Sequence, residues 1–282
     1  MKYDIKTNPH HTTWDAMLAT WQRVDENELF DTAWVFDHFY PIMGDTDGPC
    51  LEGWTSLAAL AQATDRVKVG SMVNGMPYRH PAITANMAAT TDVISNGRLQ
   101  LGLGAGWNEL ESAAYGITLG ENLTERFDRF DECVEIIVSM LEKQETTFEG
   151  KYFTVTDARN EPKGPQRPHP PIVIGGSGEK RTLRTVARFA DHWNAGLVGQ
   201  VDFGHKLSVL ERHCADVGRD PSAIDKSIML RFDGEDTAAL ERDLRAAAEL
   251  DGVDIAVVNL PSPHNPDHVD LVAEVVTRLE ET

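Results

Sequence analysis

Short apolar runs alternate along the chain with longer stretches in which apolar residues recur every three or four positions. The short runs have the length and β-branched content of strands, and the longer stretches have the 3.6-residue period of amphipathic helices. Eight runs have strand character, at about residues 3–6, 32–36, 67–73, 99–103, 171–174, 192–195, 226–231 and 254–259. This alternation predicts a parallel sheet, because parallel strands need long crossover connections, usually helices.

The number of strand–helix units predicts an α/β fold of the (β/α)8 TIM-barrel type. An open, doubly wound sheet is the rival, and the strand count favours the barrel. Pro81 and Gly97 are typical of the first residue and the stop of a helix. Between the fourth and fifth strands, FEGKYFTV predicts a hairpin with Gly150 in its turn. We interpret this segment as a loop inserted over one barrel end, so residues 1–282 are expected to form a single domain.

The second predicted strand ends in Asp37 and His38, within WVFDHFYP. Polar or glycine-rich segments also follow the first, third, fourth and fifth strands, at residues 8–10, 74–80, 104–111 and 175–178. Because the C-terminal ends of barrel strands meet at one face, these segments predict a shared cleft. The alternative for His38 is a core histidine whose nitrogens are satisfied by neighbours.

A possible anion site follows the fifth strand, where IVIGGSGEKR places Gly175, Gly176, Ser177 and Gly178 before a predicted helix whose first turn carries Lys180 and Arg181. Free backbone N–H groups at a helix start bind anions such as phosphate. Residues 159–188 contain seven basic and two acidic residues in a chain of net charge −19. The alternative is a glycine turn followed by a solvated basic helix face.

The fourth strand ends in LGLGAGW, which fails as a dinucleotide fingerprint because Trp107 stands where the third glycine is required. Gly102, Gly104 and Gly106 either let a flat ring lie against the backbone or allow close packing of strand and helix. No metal site is predicted, since His264 and His268 flank a helix start.

Composition and net charge limit the kinds of molecule that the chain is expected to bind. The chain has 282 residues, of which 41% are hydrophobic and 25% charged, and its net charge of −19 disfavours binding to nucleic acid or anionic membranes. No apolar run approaches the roughly 20 residues of a membrane span, and the N-terminus lacks a signal-like apolar segment, so a cytoplasmic location is expected. Cys50, Cys133 and Cys214 are too scattered for a disulfide framework.

Together, the segments WVFDHFYP, VGSMVNGMPYRHPA, SNGRLQLGLGAGWNELE, ERFDRFDECVEII, FEGKYF, RPHPPIVIGGSGEKRTLR and ARFADHWN resemble the bacterial luciferase-like oxidoreductases. Within that family the chain is most similar to the branch that uses the deazaflavin coenzyme F420. The resemblance covers about residues 32–194, with the motifs in the same order. It implies a (β/α)8 barrel that holds the deazaflavin ring at the C-terminal ends of the strands.

The resemblance also implies the site. His38 corresponds to the family's acid–base histidine and Asp37 to the acid that orients it, and a cis peptide bond is expected near Val73–Asn74. The residues expected to bind the cofactor are Asp37, His38, Val73, Asn74, Gly104, Ala105, Gly106, Gly175, Gly176, Ser177, Gly178, Lys180 and Arg181. The residues expected to shape the substrate pocket are Phe39, Met76, Trp107 and Glu109.

The implied reaction is hydride transfer between C5 of F420 and a small organic substrate, with His38 exchanging the proton because histidine titrates near neutral pH. The sequence leaves the substrate and the direction open. One alternative is an FMN-dependent monooxygenase that uses O2, and another is a non-catalytic flavin-binding barrel. The resemblance further implies a homodimer.

Overall fold

The computed structural model describes residues 1–281. Its strands, numbered in chain order, are β1 (Lys2–Lys6), β2 (Phe30–Val35), β3 (Lys68–Ser71), β4 (Asn74–Gly75), β5 (Leu99–Gly104), β6 (Thr146–Glu149), β7 (Thr154–Ala158), β8 (Ile172–Gly175), β9 (His192–Leu197), β10 (Asp225–Arg231) and β11 (Ile255–Asn259). Eight of them run parallel in the order β3-β2-β1-β11-β10-β9-β8-β5, and the pairing of β3 with β5 closes the ring. The predicted TIM barrel is confirmed.

Helices connect the barrel strands and cover their outer faces. They are α1 (Trp14–Glu26), α2 (Gly53–Gln62), α3 (Pro81–Ile94), α4 (Glu109–Ala114), α5 (Leu123–Glu142), α6 (Thr182–Phe189), α7 (Phe203–Val217), α8 (Thr237–Ala248) and α9 (Pro266–Glu280). Two predicted helix starts are confirmed: Pro81 is the first residue of α3, and α9 begins between His264 and His268, where the Asn265 side chain caps it. No helix in the described range is long and apolar enough to cross a bilayer.

The third barrel strand is shorter than the apolar run predicted. β3 ends at Ser71, the Met72–Val73 peptide bond is cis, and the chain then rejoins the sheet as the two-residue strand β4 beside β5. The cis bond therefore lies one residue before the position that the resemblance implied.

The predicted hairpin lies between the fourth and fifth barrel strands, where β6 and β7 pair antiparallel. Gly150 donates its N–H to the carbonyl oxygen of Phe153 at 2.9 Å, which closes the turn. The Glu132 carboxylate on α5 accepts the N–H groups of Lys151 and Tyr152 at 2.8 and 3.0 Å. The tip of the hairpin is therefore attached to the outer helix layer.

The inside of the barrel contains a buried carboxyl group halfway along β1. The Asp4 side chain accepts hydrogen bonds from Trp34 Nε1 at 2.9 Å and from the Thr32 N–H at 3.1 Å. Trp34 belongs to the small apolar cluster that fills the interior with Met72, Val173, Ile255 and Val257. Burial raises the pKa of Asp4 to about 7, and the two hydrogen bonds oppose this only in part.

We expect Asp4→Asn to stabilise the protein progressively more, relative to wild type, as the pH rises from about 4 to 7. The native state of the wild type holds the Asp4 proton up to a pKa of about 7, whereas an unfolded aspartate releases it near ~3.9. The wild-type free energy of unfolding therefore loses up to about 1.4 kcal/mol per pH unit in this window, and asparagine removes that loss.

Urea denaturation of both proteins at pH 4, 5.5 and 8 measures this difference. Asp251→Asn, which removes an exposed carboxylate from the turn after α8, is the control. A difference between Asp4→Asn and wild type that stays constant with pH would show that Asp4 is ionised throughout.

Candidate active site

The C-terminal ends of the barrel strands surround a cleft of about 420 Å³, within the range of roughly 300–1,000 Å³ typical of small-molecule sites. Ten residues that the sequence singled out lie in its wall, namely Asp37, His38, Val73, Asn74, Gly104, Ala105, Gly106, Trp107, Gly175 and Gly176. Seven others lie outside it, namely Phe39, Met76, Glu109, Ser177, Gly178, Lys180 and Arg181.

His38 is paired with a carboxylate that the sequence did not single out. Its Nδ1 lies 2.9 Å from Oε2 of Glu111, and the side chains are only 10% and 0% exposed. An ionised carboxylate can only accept hydrogen bonds, so the pairing assigns the proton of a neutral His38 to Nδ1. The other ring nitrogen, Nε2, is then left as a proton acceptor in the wall of the cleft.

Glu111 is held by donors on several sides. Oε1 accepts the backbone N–H of Phe39 at 3.1 Å, and Oε2 also accepts Nδ2 of Asn108 at 3.1 Å. Burial and the Glu111 charge raise the pKa of Tyr78, whose hydroxyl therefore keeps its proton beside the carboxylate. These contacts fix the carboxylate and, through it, the orientation of the His38 ring.

The His38 ring lies among aromatic side chains. Phe36, Trp107 and Tyr78 meet it edge-on, with ring centroids 5.0, 5.5 and 6.3 Å away. Trp107 is 60% exposed, so it stands at the rim of the cleft. The pair of titratable groups therefore lies at the border between an apolar wall and solvent, where a bound ring would exclude water.

Asp37 does not orient His38, which corrects the expectation from the sequence. Its two oxygens form a bidentate pair with the guanidinium of Arg79, at 2.7 and 2.9 Å, and Oδ2 also accepts the Gly75 N–H at 3.2 Å. Burial raises the pKa of Asp37, and the guanidinium acts in the opposite direction. Arg79 continues to Glu52 at 2.6 Å, so Asp37 links the end of β2 to the segment that follows β4 and to α2.

The glycines of β5 serve close packing, which was the second of the two interpretations. A Cβ on Gly102 would lie 1.8 Å from the carbonyl oxygen of Ser71, and one on Gly104 would lie 2.6 Å from a methyl group of Val73. Gly104 and Gly106 nevertheless line the cleft. The glycines therefore bring the bulge at Val73 against β5, and this bulge forms part of the cleft wall.

Three arginines of the basic segment, Arg181, Arg184 and Arg188, pair with acids of α5, so much of the predicted positive charge is not free. Arg181 bonds to Asp128 and Asp131 at 2.7 and 3.0 Å, and Arg188 bonds to Glu135 at 2.5 Å. The helix also begins later than predicted, at Thr182, so that Lys180 and Arg181 precede it. The Gly176 N–H is used within the fold, since it donates to the Asn194 carbonyl at 2.9 Å.

The four residues expected to shape the substrate pocket do not lie together in the structure. Phe39 stacks on Tyr115 with ring centroids 4.4 Å apart, and Met76 faces a neighbouring cavity beside the hairpin. Glu109 is 83% exposed and lies 3.7 Å from Arg126. Only Trp107 of this group lies in the wall of the main cleft.

Sequence reasoning missed Glu111, Arg79 and Lys6. The segment Asn108–Glu111 has the N-x-x-E spacing of a helix capping box, in which the glutamate normally folds back onto its own helix. Asn108 does cap α4 by accepting the Glu111 N–H at 3.2 Å, but the Glu111 carboxylate turns to His38. Lys6 was included in the first strand without a role, although a lysine at the end of an apolar strand was a usable signal.

His264 and Cys50, which lie outside the cleft wall, show no sign of a catalytic role. His264 Nε2 lies 2.8 Å from the Asn8 carbonyl oxygen and its Nδ1 lies 3.0 Å from that of Pro261, so both ring nitrogens contact backbone. Burial raises the pKa of the Cys50 thiol to about 12, so it carries no thiolate near neutral pH.

Comparison with known proteins identifies the family and the fold. A profile of the luciferase-like monooxygenase family matches residues 4–269. An F420-dependent hydroxymycolic acid dehydrogenase from Mycobacterium tuberculosis is 31% identical over 248 residues, which are 87% of this chain and 66% of that protein.

Two solved structures share the barrel. An F420-dependent secondary alcohol dehydrogenase in complex with an F420-acetone adduct superimposes with a TM-score of 0.79 at 21% identity, covering 98% of each chain. The oxygenating constituent of 3,6-diketocamphane monooxygenase from Pseudomonas putida, in complex with FMN, has a TM-score of 0.63 at 20% identity and covers 86% of this chain and 71% of its own.

Proposed function

The chain belongs to the luciferase-like monooxygenase family, and from this premise we propose that it is an F420-dependent oxidoreductase acting on a small organic substrate. The observation that carries the proposal is the buried His38–Glu111 pair in the wall of the strand-end cleft. An F420-dependent dehydrogenase with 31% identity supports the choice of cofactor. When bound, F420 supplies a ring carbon, C5, that donates or accepts a hydride.

The residues of the cleft fit a flat heterocycle that carries hydrogen-bond donors. Oδ1 of Asn74 is buried without a partner in the described residues, while its Nδ2 donates to the Gly102 carbonyl at 2.6 Å. Such an orphaned acceptor is costly unless a ligand donates to it. The Val73 bulge, Gly104 and Gly175 would form the platform for the ring.

We place the cofactor's phosphate near Gly176 and Thr182, where the cleft meets the start of α6. The φ of +114° at Gly176 favours glycine, and the backbone there carries no side chain that would shield it from a ligand. Lys180 and Arg181 lie outside the cleft wall and would act on the cofactor only through its more distant acidic tail.

In the proposed mechanism His38 moves the proton that accompanies the hydride. Its Nε2 takes a proton from a substrate hydroxyl during oxidation, or returns one to a substrate oxygen during reduction. Glu111 holds Nδ1–H and stabilises the imidazolium that forms when Nε2 is protonated. The aromatic side chains around the imidazole exclude water, and the Arg79–Asp37 pair fixes the strand end that carries His38.

We expect the purified protein to bind F420 at least about tenfold more tightly than FMN. The measurement is equilibrium titration of each cofactor, followed by its fluorescence, with Asn74→Ala as a variant that removes the orphaned acceptor. Asn86→Ala, which removes an amide from the outer helix α3, is the matched control. A clear preference of the wild type for FMN would overturn the proposed cofactor.

An FMN-dependent monooxygenase is the second candidate, because one solved barrel of this type is an FMN complex. A deazaflavin reacts poorly with O2, since carbon replaces the nitrogen that supports a flavin hydroperoxide, so oxygen consumption with reduced FMN would favour this candidate. Binding of a cofactor without turnover across alcohols and carbonyl compounds would favour a non-catalytic barrel. The homodimer implied by the resemblance and the cytoplasmic location expected from the sequence stay predictions.

A further inference from the structure

Lys6 places a positive charge in the wall of the cleft. It is the last residue of β1, is only 6% exposed and lines the cavity. Its ammonium group donates one hydrogen bond to another side chain, to Oδ1 of Asn8 at 2.6 Å, and lies 5.8 Å from the centroid of the Phe36 ring. His38 lies 5.0 Å from the same ring. Lys6, Phe36 and His38 all line the same cleft.

No carboxylate in residues 1–281 forms an ion pair with Lys6. The Asp4 carboxyl group, two residues earlier on β1, already accepts hydrogen bonds from Trp34 and Thr32. Burial, and then the charge of Arg231, lower the pKa of Lys6 to about 8, so the group is still mostly charged at pH 7. Burying an ammonium group without a charged partner is unfavourable for folding. Acidic residues are abundant in a chain of net charge −19, yet none of those in the described residues is placed beside Lys6.

Two further polar side chains lie at the same level of the barrel. Asn259 pairs in register with Lys6 on one side and with Arg231 on the other, so the three residues end adjacent strands. Oδ1 of Asn259 is buried without a hydrogen-bond partner in the described part of the chain. Arg231 is exposed and likewise forms no ion pair within residues 1–281. Arg231 and Asn259 line a cavity beside the cleft, and the charge of Arg231 acts on Lys6 at the shared end of these strands.

We propose that Lys6, assisted by Arg231, binds an anionic group of the substrate, a carboxylate or a phosphate, while the reacting carbon lies beside His38. This rests on the proposed function and adds to it the chemical class of the substrate. The anion is the charged partner that Lys6 lacks within the described part of the fold. Its charge-assisted hydrogen bonds to Lys6 fix the substrate relative to the imidazole of His38.

Benzoate and benzamide are suitable probes because they have the same shape and differ in charge. Isothermal calorimetry on the F420-loaded protein measures both dissociation constants without requiring turnover. We expect wild type to bind benzoate at least about tenfold more tightly than benzamide. Lys6→Met should reduce this ratio to about one, whereas Lys6→Arg should retain a preference for benzoate.

Lys226→Met is the matched control, since Lys226 is also buried but is paired with Asp254 at 3.3 Å at the opposite end of the barrel. It should leave the ratio unchanged. Arg231→Gln, at an exposed position, provides a second test should Lys6→Met fail to fold, and it should lower the ratio in the same direction. A wild-type ratio near one, or a ratio that neither variant changes, would overturn the proposal.

The anion that Lys6 meets has a second possible source, the cofactor itself. Titration of F420 into wild type and Lys6→Met separates the two: a tenfold loss of F420 affinity with an unchanged benzoate preference would assign the ammonium to the cofactor and overturn the substrate assignment. If wild type binds no F420, the proposed function fails on that measurement. The benzoate and benzamide titrations, repeated on the protein without cofactor, still decide the role of Lys6.

Discussion

Replacing His38 with glutamine is expected to lower kcat by about 10²–10⁴-fold, the usual contribution of a general acid–base group. Glutamine keeps a donor for Glu111 and most of the side-chain volume but cannot exchange a proton. Because the ring platform at Val73 and Gly104 is untouched, the F420 dissociation constant should change by less than about threefold. Steady-state assays with a substrate that wild type turns over, followed by F420 absorbance, together with cofactor titration, measure both quantities.

Glu111→Gln distinguishes the proton carrier from the residue that positions it. This variant should retain more activity than His38→Gln, because the imidazole can still exchange a proton although it has lost the carboxylate that orients it. His205→Gln, an exposed histidine paired with Glu179 on the outer surface, is the matched control. Wild-type turnover in His38→Gln would remove His38 from the chemistry.

The strands and helices could be predicted because their signals are local. Period and β-branched content identified the eight barrel strands, and parallel topology then placed Asp37 and His38 at the cleft without any knowledge of packing. The third strand was overestimated because the apolar run continues through Met72 and Val73, where the backbone leaves the ladder. An apolar run records burial, and buried residues can lie in a bulge as well as in a strand.

The partners within the site could not be predicted, because they depend on contacts between distant elements. The family resemblance implied that Asp37 orients His38, but the two side chains have different partners. Asp37 meets Arg79, 42 residues away, and His38 meets Glu111, 73 residues away. The positive charge counted around α6 was equally misleading, since the acids that neutralise it lie on α5.

Replacing Arg79 with methionine is expected to lower the free energy of unfolding by about 3–5 kcal/mol at pH 8, because it leaves the Asp37 carboxylate buried without its cation. Asp37 is 1% exposed, and Arg79 provides two of its three hydrogen bonds. Urea denaturation measures the loss. Without the guanidinium, burial raises the Asp37 pKa further, so the penalty should shrink as the pH falls and the carboxyl takes up a proton.

The double variant Arg79→Met with Asp37→Asn tests whether the unpaired charge is the cause. Removing both charges should recover much of the lost stability, because an amide costs far less to bury than a carboxylate. Arg159→Met, which breaks an exposed pair with Glu145, should stay within about 0.5 kcal/mol of wild type. If Arg79→Met alone behaves like this surface control, Asp37 is already protonated in the native state, and the link between β2 and α2 depends on neutral hydrogen bonds.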